Sequence, residues 1–473
     1  MDNLELPKLW DHQIKGLSAA RERRSLALFF DLGTGKTRTA IEILRLQFNK
    51  HKKILRTLIV CPSSVVMNWQ SEILKFSKIS KAKIFPLRGP LAQREKTLQL
   101  EDGIFATNFE AFAFPNFVNS VLANPPDILI IDESHRCKDS TAKRTKNLIK
   151  ISKAMELERR DTCYRYILTG TPVLNSQIDL FTQFLILDGG QTFGTSFFQF
   201  RGKYFYDKNS FMPKQSHFPC WVPRPDTTEK LKELISRISV QAKKEECLDL
   251  PPLVRTEVEV ELSKEQKRAY EEMKKEFITF LESGVATASL AITKALRLQQ
   301  ILSGFIKKED GDDHVFKENP RLDTLKDILS DIKDTSKVIV WSIFHRDYEH
   351  IKKVCESLGI KYAEVTGLIK DKQAEIDRFQ NDPECRVMIA SQSAGGTGVN
   401  MTAANVMIYY SRSYSLEHDL QSEARNYRGG SDIHDKITRI DLVAKGTVDD
   451  IVLKALRDKK NLAEQILDLK KYL

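Results

Sequence analysis

The chain has 473 residues, of which 41% are hydrophobic and 29% are charged, a composition typical of globular proteins. This length favours about three domains over a single hydrophobic core. No apolar run approaches the roughly 20 residues of a membrane-spanning helix, and no secretory signal is visible. We therefore expect a cytoplasmic protein, associated with the nucleoid or, if viral, with the host cytoplasm, that is neither secreted nor membrane-bound.

The formal net charge is +10, and the basic residues are spread along the chain rather than collected in a tail. This balance favours a polyanionic partner that binds to a basic groove or face. The seven cysteines are scattered and include no C-x-x-C pair, which argues against a zinc site or a disulfide framework. We therefore expect a reducing compartment and no structural metal.

Short apolar runs alternate with helical patterns from residue 26 to about residue 172, and the alternation returns from residue 337. Such alternation predicts α/β domains built on parallel sheets. The intervening segment combines an aromatic, basic stretch with charged helical patterns, so we expect a helical insert and bridge there. The predicted domains are residues 1–175, 176–325 and 326–473.

The stretch FFDLGTGKTRTAIEIL, residues 29–44, has the order strand, glycine turn, helix that a phosphate-binding loop requires. It departs from the usual pattern at Phe30, where a glycine is expected. In such a loop Lys36 supplies a cation to the β- and γ-phosphates, and the Thr37 hydroxyl ligates Mg²⁺. The alternative is a sharp turn that uses its glycines only for the bend. The candidate loop residues are Leu32, Gly33, Thr34, Gly35, Lys36 and Thr37.

In DILIIDESH, four apolar residues precede Asp132 and Glu133. Acids at the carboxyl end of a buried parallel strand lie where α/β folds bind ligands. Asp132 is a candidate to hold Mg²⁺, and Glu133 is a candidate to orient and deprotonate the attacking water. The alternative is that both acids cap the following helix.

In SLEHDLQSEARNYRGG, the spacing of Gln421, Arg425 and Arg428 predicts that all three project from one face of a helix. Arginines aimed at a γ-phosphate stabilise the charge of phosphoryl transfer. The alternative is that these cations only complement the negative end of the helix dipole.

In this order and spacing, the three stretches resemble those of superfamily-two helicases of the SWI/SNF-type DNA translocase branch. Other segments resemble motifs of the same branch. They are LWDHQIKGL (9–17), LIVCPSSVVMNWQSEI, ATNFEAF, LTGTPVLN (168–175), VIVWSIFHRDYEHI, SQSAGGTGVNMTAANVMIYY and LVAKGTVDDIVLKALRDKK.

The resemblance implies a fold class: α/β, with two RecA-like parallel-sheet lobes in tandem and a mainly helical insert between them. It also implies a catalytic set split between the lobes, with ATP and Mg²⁺ as cofactors. One lobe supplies Lys36, Thr37, Asp132 and Glu133, and the other supplies Gln421, Arg425 and Arg428.

The resemblance further implies that Gln13 reads the adenine base and that Thr169, Gly170 and Thr171 couple hydrolysis to lobe movement. Nucleic-acid phosphates are expected to contact backbone amides and hydroxyls, which gives binding without sequence preference. The expected contacts are Pro62, Ser63, Thr107, Asn108, Ser391, Gly396 and Thr397.

The sequence departs from the branch at three places. It has DESH where the family often has DEAH, although both acids remain. Gln241 and Ala242 stand where the branch usually has an arginine pair, which puts a bracing role for that pair in doubt. Gly429-Gly430-Ser431 follows the arginines where Ile-Gly-Gln is common.

These patterns favour a DNA-stimulated ATP hydrolase that acts as a monomer and translocates on double-stranded or branched DNA. Remodelling of replication, recombination or repair intermediates, by fork reversal or branch migration, is the expected role. An RNA helicase and a DNA-binding scaffold with an inactive ATPase remain alternatives. The aromatic stretch from Phe193 to Trp221 could stack on unpaired bases, although packing into the core of a small subdomain is the simpler interpretation.

Overall fold

The computed structural model describes residues 6–170, 177–211, 219–282, 288–307, 313–393 and 400–457. The chain packs into two compact units, Met1–Leu248 and Asp249–Leu473, which we call the first and second units. The three-part division after residues 175 and 325 stays a prediction. Each unit is described by itself below.

The described residues of the first unit form nine β-strands. They are β1 Ser25–Phe30, β2 Thr57–Cys61, β3 Ile84–Pro86, β4 Ile104–Asn108, β5 Ile128–Asp132, β6 Tyr164–Leu168, β7 Phe205–Asp207, β8 Trp221–Pro223 and β9 Ser239–Ala242. Seven of them form one sheet in the order β3-β4-β2-β5-β6-β1-β9, and the pairs in this sheet are parallel. Strands β7 and β8 form a separate antiparallel pair.

The helices of the first unit flank this sheet. They are α1 Asp11–Glu22, α2 Lys36–His51, α3 Val66–Phe76, α4 Leu91–Thr97, α5 Pro115–Leu122, α6 Lys143–Glu158, α7 Leu180–Asp188, α8 Phe197–Tyr204, α9 Thr228–Arg237 and α10 Lys244–Cys247. Strands β2, β5 and β6 are buried along their whole length, in agreement with their largely apolar sequences. Alternate residues of β2 enter two different core clusters, one on each face of the sheet.

The second unit is built on a six-stranded sheet whose pairs are parallel. The described strands of the unit are β10 Leu253–Glu259, β11 Phe305–Ile306, β12 His314–Val315, β13 Val338–Ser342, β14 Lys361–Val365, β15 Cys385–Ser391, β16 Val406–Tyr409 and β17 Ile437–Val443. The sheet has the order β10-β17-β16-β13-β15-β14, while β11 and β12 pair separately.

The helices of the second unit include a long pair that follows β10 and precedes the other strands of the main sheet. They are α11 Lys264–Glu282, α12 Ala288–Leu302, α13 Pro320–Ile332, α14 His345–Ser357, α15 Lys372–Asn381, α16 Leu416–Glu423 and α17 Val448–Arg457. The predicted fold class, two α/β lobes with parallel sheets and helices between them, is confirmed. Among the described residues, no helix is both long enough and apolar enough to cross a bilayer.

The aromatic stretch contributes mainly to the core of the first unit. Phe193, Phe200, Tyr204 and Phe205 are buried in the same cluster as residues of the main sheet. The rings of Phe193 and Phe200 lie 4.7 Å apart, a typical distance for an aromatic pair. Packing therefore explains most of these side chains, whereas Phe198 is 74% exposed.

Candidate nucleotide site

The predicted phosphate-binding loop joins β1 to α2 at the carboxyl edge of the first sheet. Phe30 is the last residue of β1 and is fully buried, so it belongs to the strand rather than to the turn. Gly33 and Gly35 have positive φ angles of 86° and 81°, a conformation that favours glycine. Gly35 is the residue before α2, and a Cβ there would lie 2.2 Å from Nε2 of Gln13. The positive φ angle therefore favours glycine at this helix N-terminus, and any other residue would also displace the end of the Gln13 side chain.

Helix α1 holds the loop through side chains that contact loop carbonyls. Gln13 accepts a hydrogen bond from the Trp10 amide at 3.0 Å, and its Nε2 donates to the Gly35 carbonyl at 3.4 Å. His12 Nε2 lies 2.7 Å from the Thr34 carbonyl oxygen. The structure thus places Gln13 against the loop, while its contact with an adenine base stays a prediction.

Lys36 is the first residue of α2, and its side chain is buried beneath the loop. Its Nζ donates to the carbonyl oxygens of Phe30, at 2.9 Å, and Asp31, at 3.4 Å. A Cβ on Gly170 would lie 3.2 Å from the same Nζ. The ammonium group is therefore confined between the loop and the residues that follow β6.

The strand order brings the predicted acids to the same edge. Asp132 ends β5 and pairs in register with Leu168 at the end of β6, which in turn neighbours β1. Burial, together with Glu133, raises the pKa of Asp132 to about 7, and Lys36 opposes the shift. The indole Nε1 of Trp69 donates a hydrogen bond to Asp132 Oδ2 at 3.1 Å. This carboxylate is thus buried beside a cation and a hydrogen-bond donor.

Glu133 has a left-handed backbone conformation, with φ of 57°, which is unusual for a residue other than glycine. Such conformations cost about 1–3 kcal/mol and cluster at functional sites. His135 Nδ1 lies 3.4 Å from Glu133 Oε2 and 3.0 Å from the Thr169 hydroxyl. A short chain of contacts therefore joins the predicted base to the predicted coupling segment, of which Thr171 lies outside the described residues.

The DESH departure has a local explanation. The hydroxyl of Ser134 donates a 2.7 Å hydrogen bond to Oε1 of Gln183 on α7, and both side chains are buried. A buried hydroxyl needs such a partner. Serine is therefore accommodated without displacing either acid.

The pair Gln241-Ala242 lies in β9 and braces the loop through its main chain. These residues pair with Phe29 and Phe30 of β1, and the Ala242 carbonyl accepts a 2.9 Å hydrogen bond from the Asp31 amide. Asp31 Oδ2 also accepts a 2.9 Å hydrogen bond from the Lys244 amide. The bracing role was in doubt because the usual arginine side chains are missing. In this structure the main chain of Gln241 and Ala242 braces the loop without them.

The prediction that Gln421, Arg425 and Arg428 share one helix face is wrong. Helix α16 ends at Glu423, so both arginines lie in the turns that follow it. The Arg425 carbonyl accepts a 2.9 Å hydrogen bond from the Met401 amide, and this contact replaces the continued helix. Their proposed role does not depend on a helical face and stays a prediction.

A buried ion network anchors α16, and sequence reasoning missed it. Arg439 on β17 pairs with Asp419 and Glu423 of α16, each at 2.8 Å, and with Asp441 at 3.1 Å. The four side chains are nearly inaccessible to solvent. Arg439 is separated from Asp419 by 20 residues and from Glu423 by 16, so no local spacing signals the link between the strand and the helix.

The predicted nucleic-acid contacts of the first unit lie at the ends of neighbouring strands. Ser63 follows β2 and is exposed, and Asn108 ends β4 opposite Cys61 of β2. Thr107 is fully buried and Pro62 is also buried, so the Thr107 hydroxyl offers no surface to a ligand here.

In the second unit, Ser391 ends β15 and is buried, with its hydroxyl 3.0 Å from that of Ser393. Gly396 and Thr397 lie outside the described residues. The structure therefore brings Ser63 and Asn108 to one edge, and it provides no test of the contacts predicted after β15.

Comparison with protein families gives a match over more than half of the chain. The family model described as SNF2-related domain matches residues 12–309. The chain belongs to this SNF2-related family. The model described as Helicase conserved C-terminal domain matches residues 320–430 of the same SNF2-related chain. The resemblance inferred from the motifs is confirmed.

Several curated proteins are similar to the SNF2-related chain. An "Uncharacterized ATP-dependent helicase MG018" of Mycoplasma genitalium is 25% identical, over 99% of this chain and 43% of the relative. Chromodomain-helicase-DNA-binding protein 7 of Gallus gallus is 24% identical, over 92% of this chain and 15% of the relative. "Putative protein p41" of Acyrthosiphon pisum secondary endosymbiont phage 1 is 23% identical, over 93% of this chain and 94% of the relative. The chain spans less than half the length of the mycoplasma helicase.

Among solved structures, the Sulfolobus solfataricus SWI2/SNF2 ATPase core in complex with dsDNA has a TM-score of 0.45 and 22% sequence identity to this chain. The match covers 98% of this chain and 95% of that one.

Proposed function

We propose that this SNF2-related chain hydrolyses ATP and couples hydrolysis to movement on double-stranded or branched DNA. The observation that carries the proposal is the convergence of Lys36, Asp132 and Thr169 at one edge of one parallel sheet. They lie beside a helix N-terminus, where backbone amides and the helix dipole favour phosphate groups. The mycoplasma relatives are described as ATP-dependent helicases, which supports this assignment.

The residues at this edge fit a magnesium ion. Burial raises the pKa of Asp132, so a bound dication would offset the cost of keeping this carboxylate ionised. Thr37 is half-buried in the first turn of α2 and offers a hard oxygen of the kind that Mg²⁺ prefers. We propose that Thr37 and Asp132 hold Mg²⁺, which when bound neutralises charge on the phosphates.

In the proposed reaction, the residues of the first unit bind the phosphates and activate water. The backbone amides of residues 33–37 and the Lys36 ammonium group receive the phosphate oxygens in place of the loop carbonyls that Lys36 now contacts. A side-chain oxygen of Glu133 accepts a proton from the attacking water. His135 contacts both Glu133 and Thr169, so the change in charge of Glu133 alters the contact between His135 and Thr169. Gln13 is proposed to contact the adenine base.

Gln421, Arg425 and Arg428 of the second unit are proposed to act on the same nucleotide. Guanidinium groups stabilise the charge that develops on the transferred phosphoryl group, and a second domain can supply them. The buried pairs of Arg439 support this role because they hold α16 in a fixed position on its own sheet.

DNA is proposed to bind through its phosphates, without sequence preference. The exposed Ser63 and the neighbouring Asn108 offer polar groups at the carboxyl edge of the first sheet. The net charge of +10 favours a polyanion. The other proposed contacts are the backbone at Pro62 and Thr107 and the segment that carries Ser391, Gly396 and Thr397.

We further propose that branched replication, recombination or repair intermediates are substrates for fork reversal or branch migration. The observation that favours them is Phe198, which is 74% exposed and lies beneath the Arg201 guanidinium, 5.3 Å from the ring centroid. An exposed ring beside an arginine can stack on an unpaired base at a junction.

The experiment that tests the proposed function is phosphate release with a panel of nucleic acids. Single-stranded, duplex, forked and four-way DNA and duplex RNA are compared at matched nucleotide concentration. Stimulation by duplex or branched DNA supports the proposal, greater stimulation by RNA favours an RNA helicase, and no turnover with any of them favours a scaffold. ATP-dependent conversion of four-way DNA into forks tests the branched substrate directly.

A further inference from the structure

Trp69 connects the predicted DNA-contacting segment to the nucleotide site. Its side chain is fully buried, and its indole Nε1 donates a 3.1 Å hydrogen bond to Oδ2 of Asp132. The donor and the acceptor are separated by 63 residues of sequence, so this bond is a tertiary contact. It approaches Asp132 from α3, whereas Lys36 lies at the start of α2.

The segment that precedes Trp69 is short and continuous. The exposed Ser63 begins a single 3₁₀ turn, Ser63–Val65, and α3 starts at the next residue, Val66. Val66 and Ile73 on the same helix are buried with Trp69 in one core cluster. Because the turn and the helix follow each other without a break, a displacement at Ser63 is carried to the indole ring.

We propose that Trp69 is a positioning residue through which DNA bound at Ser63 sets the orientation of the Asp132 carboxylate. The inference rests on the proposed function, because it requires both DNA binding and a catalytic Asp132. The hydrogen bond fixes Oδ2, so the rotation of the carboxylate, and with it the position of Oδ1, follows the helix. DNA that shifts or steadies the start of α3 thereby stimulates hydrolysis.

A purely structural role for Trp69 is the competing explanation, since the indole ring also fills space in the core. Trp341 provides the matched control. It is equally buried, it lies in the second unit, and its Nε1 has no hydrogen-bond partner in the part of the chain that the structure describes. Replacing either tryptophan by phenylalanine removes similar volume, but only at position 69 does it remove a hydrogen bond to a carboxylate.

The test compares Trp69→Phe and Trp341→Phe in the full chain with wild type, by ATP hydrolysis at saturating and zero duplex DNA. For Trp69→Phe we expect the DNA-stimulated kcat to fall about tenfold to a hundredfold, since a hydrogen bond to a charged group is lost. The KM for ATP and the DNA affinity measured by anisotropy should stay within about twofold, because the loop and Ser63 are intact. Trp341→Phe should stay within about twofold in all three quantities.

A second variant separates shape from hydrogen bonding. Site-specific incorporation of a benzothienyl analogue at position 69 replaces the N–H by sulfur and keeps the bicyclic ring. The inference requires this variant to lose DNA stimulation like Trp69→Phe while its melting temperature stays near that of wild type. Wild-type stimulation in either variant overturns the inference alone, whereas absence of stimulation in wild type overturns the proposed function on which it rests.

Discussion

At the scale of single residues, burial changes the pKa of two aspartates, one in each unit. Asp132 and Asp347 are both nearly inaccessible to solvent, and burial raises the pKa of each to about 7. Asp132 lies beside Lys36 at the proposed nucleotide site, where a cation can restore its charge. Asp347 lies on α14 of the second unit, where its Oδ2 accepts a 2.6 Å hydrogen bond from the Ser411 hydroxyl. Asp347 is therefore the better residue for observing the cost of burial on stability.

The stability of the fold should depend on pH through Asp347. Because its pKa is higher in the folded protein than its ordinary value of 3.8, the folded state holds this proton more tightly than the unfolded chain does. The stabilising contribution is fully present below about pH 4 and is lost as the pH rises through about 7. Asp347→Asn has no charge to bury and keeps an acceptor for Ser411. Its melting temperature should therefore exceed that of wild type at pH 8 by more than at pH 5, by the equivalent of a few kcal/mol at most.

Thermal melts at several pH values between 5 and 8 provide the measurement. Asp334→Asn, at an exposed position of the same unit, is the control and should show no such trend. A difference between Asp347→Asn and wild type that stays constant across this range would contradict the account.

At the scale of helices and strands, α16 depends for its charged partner on β17, the strand that follows it in the chain. Asp419 and Glu423 on this helix are held by Arg439 on β17, and Asp441 completes the buried group. A buried ion pair contributes little relative to apolar packing, but the loss of one partner leaves charges that are costly to bury. The network therefore fixes the position of α16 on its sheet.

Arg439→Met should destabilise the second unit by about 3–5 kcal/mol, because the acids of α16 lose their central cation. The free energy of unfolding in urea is the measurement. Arg268→Met is the control, since Arg268 is exposed on α11 and pairs with Glu272 at 2.9 Å, and its loss should cost no more than about 1 kcal/mol. Equal losses in the free energy of unfolding for the two substitutions would show that the buried network contributes no more to stability than the exposed pair does.

The elements also show what the sequence could predict. Most strands of the two sheets and the loop between β1 and α2 follow from apolar runs and from the glycines around Lys36, which are local signals. Strands β9 and β10 were not predicted, and both lie in the segment where a helical insert was expected. The bracing by β9 was not predictable from side chains because it uses main-chain hydrogen bonds. The end of α16 at Glu423 was missed because a tertiary contact of the Arg425 carbonyl competes with helical spacing. The Trp69 bond joins distant segments and has no local pattern.

At the scale of the whole molecule, the order of the motifs indicated the correct family. Identity to the mycoplasma, chicken and phage relatives is only 23–25%. Two parallel sheets follow each other along the chain, and each carries one part of the proposed catalytic set. The SNF2-related and helicase C-terminal models match successive segments in the same order. The proposed motor therefore depends on residues from both units, and its proposed ATP hydrolysis depends on the buried ammonium group of Lys36.

The most direct test of the central claim is the rate of phosphate release by wild type and by Lys36→Ala, with and without saturating duplex DNA. Lys36 Nζ donates to the carbonyl oxygens of Phe30 and Asp31, and a thermal melt of Lys36→Ala near that of wild type serves as the control that the fold is intact. We predict that wild type is stimulated by DNA and that Lys36→Ala loses this turnover almost completely, because the phosphates lose their cation. Undiminished DNA-stimulated hydrolysis by Lys36→Ala would contradict the assignment of the nucleotide site.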